Sequence, residues 1–92
     1  MSGPESAIEN VACLVAKENG WFVRKARWIG RVGCPDRVFA KDGRTVWIEF
    51  KAPNEPLRPV QRREIKRMLE AGFEVYVADS VKQALAFLGI EA

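Results

Sequence analysis

The sequence contains no histidine. That absence excludes every mechanism that uses an imidazole as general base, nucleophile or zinc ligand. Cysteine is scarce: Cys13 and Cys34 are the only two, too few for a four-cysteine zinc site or a disulfide framework. A metal in this chain would have to be held by oxygen, which suits Mg²⁺ or Mn²⁺. No apolar run approaches the ~20 residues of a transmembrane helix. The opening "MSGPESAIEN" lacks the basic and apolar regions of a signal peptide. The expectation is a cytoplasmic protein, not secreted, with reduced thiols and no membrane partner.

What is present is a chain of 92 residues with 48% hydrophobic content, enough for one domain spanning 1–92 with a modest core. Pairing into a homodimer would be one way to bury more surface. The net charge of +3 is unevenly placed. Arg24, Lys25, Arg27, Arg31 and Arg37 lie against one acid, Asp36. Arg58, Arg62, Arg63, Lys66 and Arg67 lie against Glu64. Basic clusters of this kind suit a phosphate backbone, and the plainer alternative is two solvated faces. The candidate DNA contacts are Arg24, Lys25, Arg27, Arg31, Arg37, Arg58, Arg62 and Arg63.

The pattern of elements is α-β-β-β-α-β-α. Pro4 suits the first turn of a helix; Ile8, Val11, Ala12 and Val15 recur at helical spacing, and Asn19-Gly20 ends it. "WFVRKARW" reads as a strand and "IGRVGCP" as a loop. "DRVFAK" and "RTVWIEFKA" read as two strands joined through Asp42-Gly43, a strong hairpin signal. The second strand is apolar on both faces around Val46–Phe50, so it should be central. A helix is expected from Pro59 to Ala71, with Val60, Ile65, Met68 and Leu69 inward and Gly72 as its stop. "FEVYVA" is a fourth strand, parallel to the third through a crossover. Ser80 then caps a last helix with Val81, Ala84, Leu85 and Leu88 in one stripe. Trp21, Phe22, Trp28 and Trp47 are expected in the core, although one exposed tryptophan would mark a dimer contact or a base-stacking position.

Charges inside an apolar strand need a reason, because burial is costly for them unless they are paired or bind a metal. If Asp42-Gly43 is a two-residue turn, Lys41 faces Arg44. Counting outward then puts Asp36 directly across from Glu49 on one face, with Cβ atoms roughly 4.5–5.5 Å apart. Lys51 shares that face, two residues on. A three-residue turn would break this register. Opposed carboxylates repel, and a divalent cation would offset that. The alternative is a structural cluster of Lys51, Glu49 and Asp36 at a strand end.

Pro35-Asp36 followed, after a hairpin, by Glu49-Phe50-Lys51 resembles the PD-(D/E)XK nuclease superfamily. "GCPDR", "VWIEFKAPNEPLRPVQ" and "GFEVYVADS" together resemble the virus-type replication-repair nuclease (VRR-NUC) domain, from about Glu5 to Leu88. The resemblance implies an α/β fold of restriction-endonuclease type, an αβββαβ core with a mixed four-stranded sheet flanked by helices. It implies that Asp36, Glu49 and Lys51 are catalytic, with Gln61 reaching towards the scissile phosphate. The metal, one or two Mg²⁺ or Mn²⁺ ions, would be held by Asp36, Glu49, the Phe50 carbonyl and a glutamate of the first helix. "ENVACLVAKENGW" is similar to the first helix of archaeal Holliday-junction resolvases, which favours Glu9; Glu5, one turn earlier on the same face, is the second choice. The implied activity is a metal-dependent, structure-specific DNA endonuclease in a bacterial or phage-infected cell. A homodimeric resolvase of four-way junctions is the first expectation. A monomeric flap or nicking nuclease and a non-catalytic DNA-binding module are the alternatives.

Overall fold

The protein is described by a computed structural model covering residues 3–91. Seven elements follow the expected order: α1 (Pro4–Glu18), β1 (Phe22–Lys25), β2 (Arg37–Lys41), β3 (Arg44–Phe50), α2 (Pro59–Glu70), β4 (Val75–Ala78) and α3 (Val81–Phe87). The strands form one mixed sheet in the order β1-β2-β3-β4. The first three are antiparallel and β4 runs parallel to β3.

The hairpin fixes the sheet. Asp42 and Gly43 both take positive φ, 50° and 82°, the combination a two-residue type I′ turn requires. Lys41 pairs with Arg44, and the ladder continues to Arg37 opposite Ile48. β3 is central and buried on both faces. Its alternating residues Val46, Ile48 and Phe50 join Phe39, Val23 and the small residues Ala12 and Ala16 of α1 in one core, closed by Ala84 and Leu88 at α3. Trp47 points the other way and packs in a second cluster with Ile65 and Met68 of α2. The sheet is therefore sandwiched, with α1 and α3 on one face and α2 on the other.

Helix ends follow local chemistry. Pro4 and Pro59 open α1 and α2 at positions whose N–H would be unbonded anyway. Ser80 caps α3 through Oγ, which accepts the Gln83 N–H at 3.1 Å. α2 stops at Gly72 as expected, with the Phe73 N–H donating back to the Met68 carbonyl at 2.9 Å.

Four expectations about burial and extent are corrected. Val11 of the proposed α1 stripe is exposed, and Glu9 and Cys13 are buried instead. α1 lies rotated so that its small residues meet the sheet closely. Leu69 is exposed and Val60 only half-buried on α2, while Gln61 and Glu64 turn inward. Phe22 is exposed on the edge strand with the Arg24 guanidinium 3.9 Å from its ring centre. β1 stops at Lys25 rather than running to Trp28. Beyond it the chain folds back: the Ala26 N–H donates to the Asp36 carbonyl at 3.0 Å, and Trp28 crosses to the α2 side, 5.4 Å from the Trp47 ring.

Candidate active site

The hairpin register carries two acids to the same end of the sheet. Asp36 lies just outside the last pair of the β2–β3 ladder, and its carboxylate accepts the Phe50 N–H at 2.8 Å. Glu49 is 4% exposed, beneath α2. Its Oε2 accepts the Gln61 side-chain N–H at 2.9 Å and lies 3.7 Å from the Lys51 ammonium. The same ammonium is 3.8 Å from Glu55, whose other oxygen accepts the Ala52 N–H at 2.8 Å. The Gln61 carbonyl oxygen accepts the Arg58 N–H at 2.9 Å, satisfying an orphan donor at the start of α2. Asp36, Glu49 and Gln61 are thus each held by a hydrogen bond at this end of the sheet, and Lys51 lies between the carboxylates of Glu49 and Glu55.

The electrostatics are those of a crowded pair of acids. Burial pushes the Glu49 carboxyl up to about 7, helped by the charge of Asp36 and opposed by Lys51 and Arg58. Burial also raises Asp36; the Phe50 N–H works against that, and Glu9 adds to it. Two neighbouring carboxylates that disfavour each other's charge are hard oxygen donors and fit a hard divalent cation.

Glu9 is the inward glutamate of α1, 6% exposed. Lys25 donates to it at 2.9 Å and Arg37 bonds the same oxygen. Burial works upward on its carboxyl, but these two cations outweigh it and hold Glu9 below the usual carboxylate range. Glu9 stands close enough to Asp36 to raise it, yet among the described residues no three acids form a ready metal cluster. Glu5 is half-buried at the helix start with its carboxylate against Gly3.

The basic residues divide into tied and free. Arg37 is engaged with Glu9 and 18% exposed in its side chain. Lys25 is also paired but remains largely exposed. Arg24 stacks on Phe22. Arg27, Arg58, Arg62 and Arg63 are exposed, and Arg31 lies 3.6 Å from Glu64. Arg27, Arg31 and Arg58 line a groove of about 610 Å³ between the β1–β2 loop and the start of α2.

Two residues here were not singled out from the sequence. Glu64 is buried and paired with Arg31 and Arg67; its signal was its position one turn after Gln61, on the same face. Gly33 packs so closely on α2 that a Cβ there would meet the Val60 carbonyl and the Glu64 Cβ, each at 2.9 Å. Cys34, beside it, has its thiol pushed up to about 11 by burial, so it is no nucleophile at neutral pH.

Comparison with known proteins identifies the family of the fold. Residues 5–82 match the VRR-NUC domain family. A protein of Acyrthosiphon pisum secondary endosymbiont phage 1, named "Putative nuclease p44", is 36% identical over 77 residues, 83% of each chain. A solved structure titled "VRR_NUC domain" superposes with a TM-score of 0.86 at 29% identity, covering 96% of this chain and 97% of that one. The chain belongs to the VRR-NUC family.

Proposed function

We propose that this chain is a divalent-metal-dependent DNA endonuclease that hydrolyses phosphodiester bonds in branched DNA. The observation that carries the reading is the buried Glu49, held by Gln61 and Lys51, beside the half-buried Asp36. Nuclease family membership and the phage relative's name support the same activity.

Asp36 and Glu49 would hold Mg²⁺ or Mn²⁺, with the Phe50 carbonyl and Glu9 as further oxygen donors. When bound, the ion supplies Lewis acidity and charge neutralisation at the phosphate. Lys51 would orient the attacking water and stabilise negative charge that grows on the phosphoryl oxygens. Gln61 fixes the rotamer of Glu49 and can turn its amide towards the phosphate. The exposed arginines of the β1–β2 loop and of α2 would hold the backbone on either side. Lys25 and Arg37 both bond Oε2 of Glu9, so its other carboxylate oxygen would be the one to meet the metal.

Symmetric cutting of a four-way junction needs two sites, so the resolvase reading requires a homodimer. The compartment in this reading is the cytoplasm of a bacterial or phage-infected cell; among the described residues no helix is long and apolar enough to cross a membrane. The engagement of Glu9 by two cations favours one second reading, a DNA-binding module that cleaves nothing.

The test is cleavage of a labelled four-way junction beside a flap and plain duplex, in Mg²⁺ and in Mn²⁺, with Lys51→Ala as control. Paired symmetric cuts lost in the variant support the resolvase. Cuts confined to the flap keep the nuclease and remove the resolvase. DNA bound without cleavage moves the assignment to the binding module.

A further inference from the structure

The β1–β2 loop has the opposite character at its base and at its tip. Its base is anchored: Ala26 bonds the backbone of Asp36, Trp28 packs on Trp47, and Gly33 fits against α2. Its tip is apolar and exposed, with Arg31 reaching Glu64 of α2 at 3.6 Å. Ile29 is 97% exposed and Val32 is 68% exposed. Between and beside them stand Arg27 and Arg31, with no acid in the segment 27–32. Scattered surface apolar residues need no explanation. Two on one tip, interleaved with arginines, and leading within four residues to the acid Asp36, are a different pattern.

The charge decides the occupant. A second copy of this tip would bring arginine against arginine, whereas a polyanion meets complementary charge. Aliphatic side chains enter nucleic acid by parting base steps, and this costs least where stacking is already interrupted. We propose that Ile29 and Val32 form a wedge that enters DNA at a break in the base stack, while Arg27 and Arg31 hold the flanking phosphates. Since Ala26 bonds Asp36 directly, the wedge sets the distance from the break to the acids. The proposal rests on the nuclease reading and adds to it how the fold recognises its substrate by an interruption of the stack.

The experiment uses the full chain in EDTA, so that no DNA is cut. The probes are a four-way junction and a nicked duplex with 2-aminopurine beside the discontinuity, and a matched intact duplex. Wild type should raise the fluorescence of the interrupted probes and leave the intact duplex unchanged. The double variant Ile29→Ser/Val32→Ser should lose that rise and bind the interrupted probes about tenfold more weakly. Its salt dependence should be unchanged, because no phosphate contact is removed. The variant Arg27→Ala/Arg31→Ala should flatten the salt slope by about two units. A thermal midpoint equal to wild type shows that the serine variant is folded.

Unchanged fluorescence and affinity in the serine variant overturn the wedge. If wild type cleaves once Mn²⁺ is added, the nuclease reading survives that result. A loss of self-association in sedimentation, with the DNA signal intact, assigns the tip to an interface between copies and likewise overturns the wedge. A wild-type protein that binds none of the probes overturns both readings.

Discussion

Gln61 holds Glu49 from the first turn of α2: its amide N–H donates to Oε2 at 2.9 Å while its carbonyl accepts the Arg58 N–H at 2.9 Å. One side chain therefore starts a helix and orients a buried acid. Gln61→Leu keeps the bulk and removes both bonds. It should destabilise the protein by about 1–3 kcal/mol, the cost of orphaning buried polar groups. Denaturant unfolding measures this. A helix-start role alone predicts lost stability with cleavage intact once folded; a positioning role predicts a fall in kcat as well.

Lys51 is 5% exposed and lies between Glu49 and Glu55. Replacing it with alanine removes the one ammonium within reach of both. Cleavage should drop by about 10²–10³, the usual effect of losing a positioned charge stabiliser. DNA binding, read by gel shift, should stay within a few-fold.

The raised Glu49 carboxyl gives a signed pH dependence. In the folded, metal-free protein it titrates near 7, against 4.5 when unperturbed. The folded state thus holds this proton more tightly than the unfolded chain does. Its contribution favours folding below pH 4.5 and is lost as pH rises to about 7, by roughly 3 kcal/mol in all. Other groups, Glu9 among them, act in the opposite direction. The difference between wild type and Glu49→Gln isolates the effect: the variant's advantage in stability should grow between pH 5 and 8. A difference that stays flat across that range would refute the shift.

Metal binding should relieve the same pair. Mn²⁺ at about 100 times its Kd should add roughly 2.7 kcal/mol, seen as a higher Tm. Asp36→Asn and Glu49→Gln should each abolish that gain. The affinity should rise with pH through 7, because the ion displaces a proton. A structural charge cluster would show no response to Mn²⁺.

Gly33 sits at φ +96° with its α-carbon pressed on α2. Gly33→Ala faces both an unfavourable backbone conformation and contact with the Val60 carbonyl. The expected cost is about 2 kcal/mol or more. Because the helix must shift, Gln61 shifts with it, and kcat should fall even at temperatures where the variant is fully folded.

The sequence was most legible where local chemistry decides. Asp42-Gly43 fixed the turn, the turn fixed the register, and the register put Asp36 and Glu49 at one end. The element order and the parallel β3–β4 pair followed from spacing. Helix faces were less legible. In α1 the choice of Ala12, Cys13 and Ala16 over Val11 depends on how closely the helix approaches Phe39 and Ile48, which periodicity does not encode. In α2 the inward Gln61 and Glu64 broke the apolar pattern because each meets a polar partner, Glu49 for Gln61 and Arg31 and Arg67 for Glu64. The partners of Glu9 were invisible for another reason: Lys25 and Arg37 lie 16 and 28 residues away. A reading by local charge assigns those two cations to solvent or phosphate.

Phe50 belongs to both halves of the molecule. Its ring is 2% exposed within the α1–α3 core, and its backbone N–H grips Asp36. The acidic end of the sheet has no slack of its own at this point; it inherits its stiffness from the hydrocarbon packed behind it. A cavity cut beneath Phe50 would be felt as a loosened carboxylate, and the tolerance of this core to substitution is set by the chemistry in front of it.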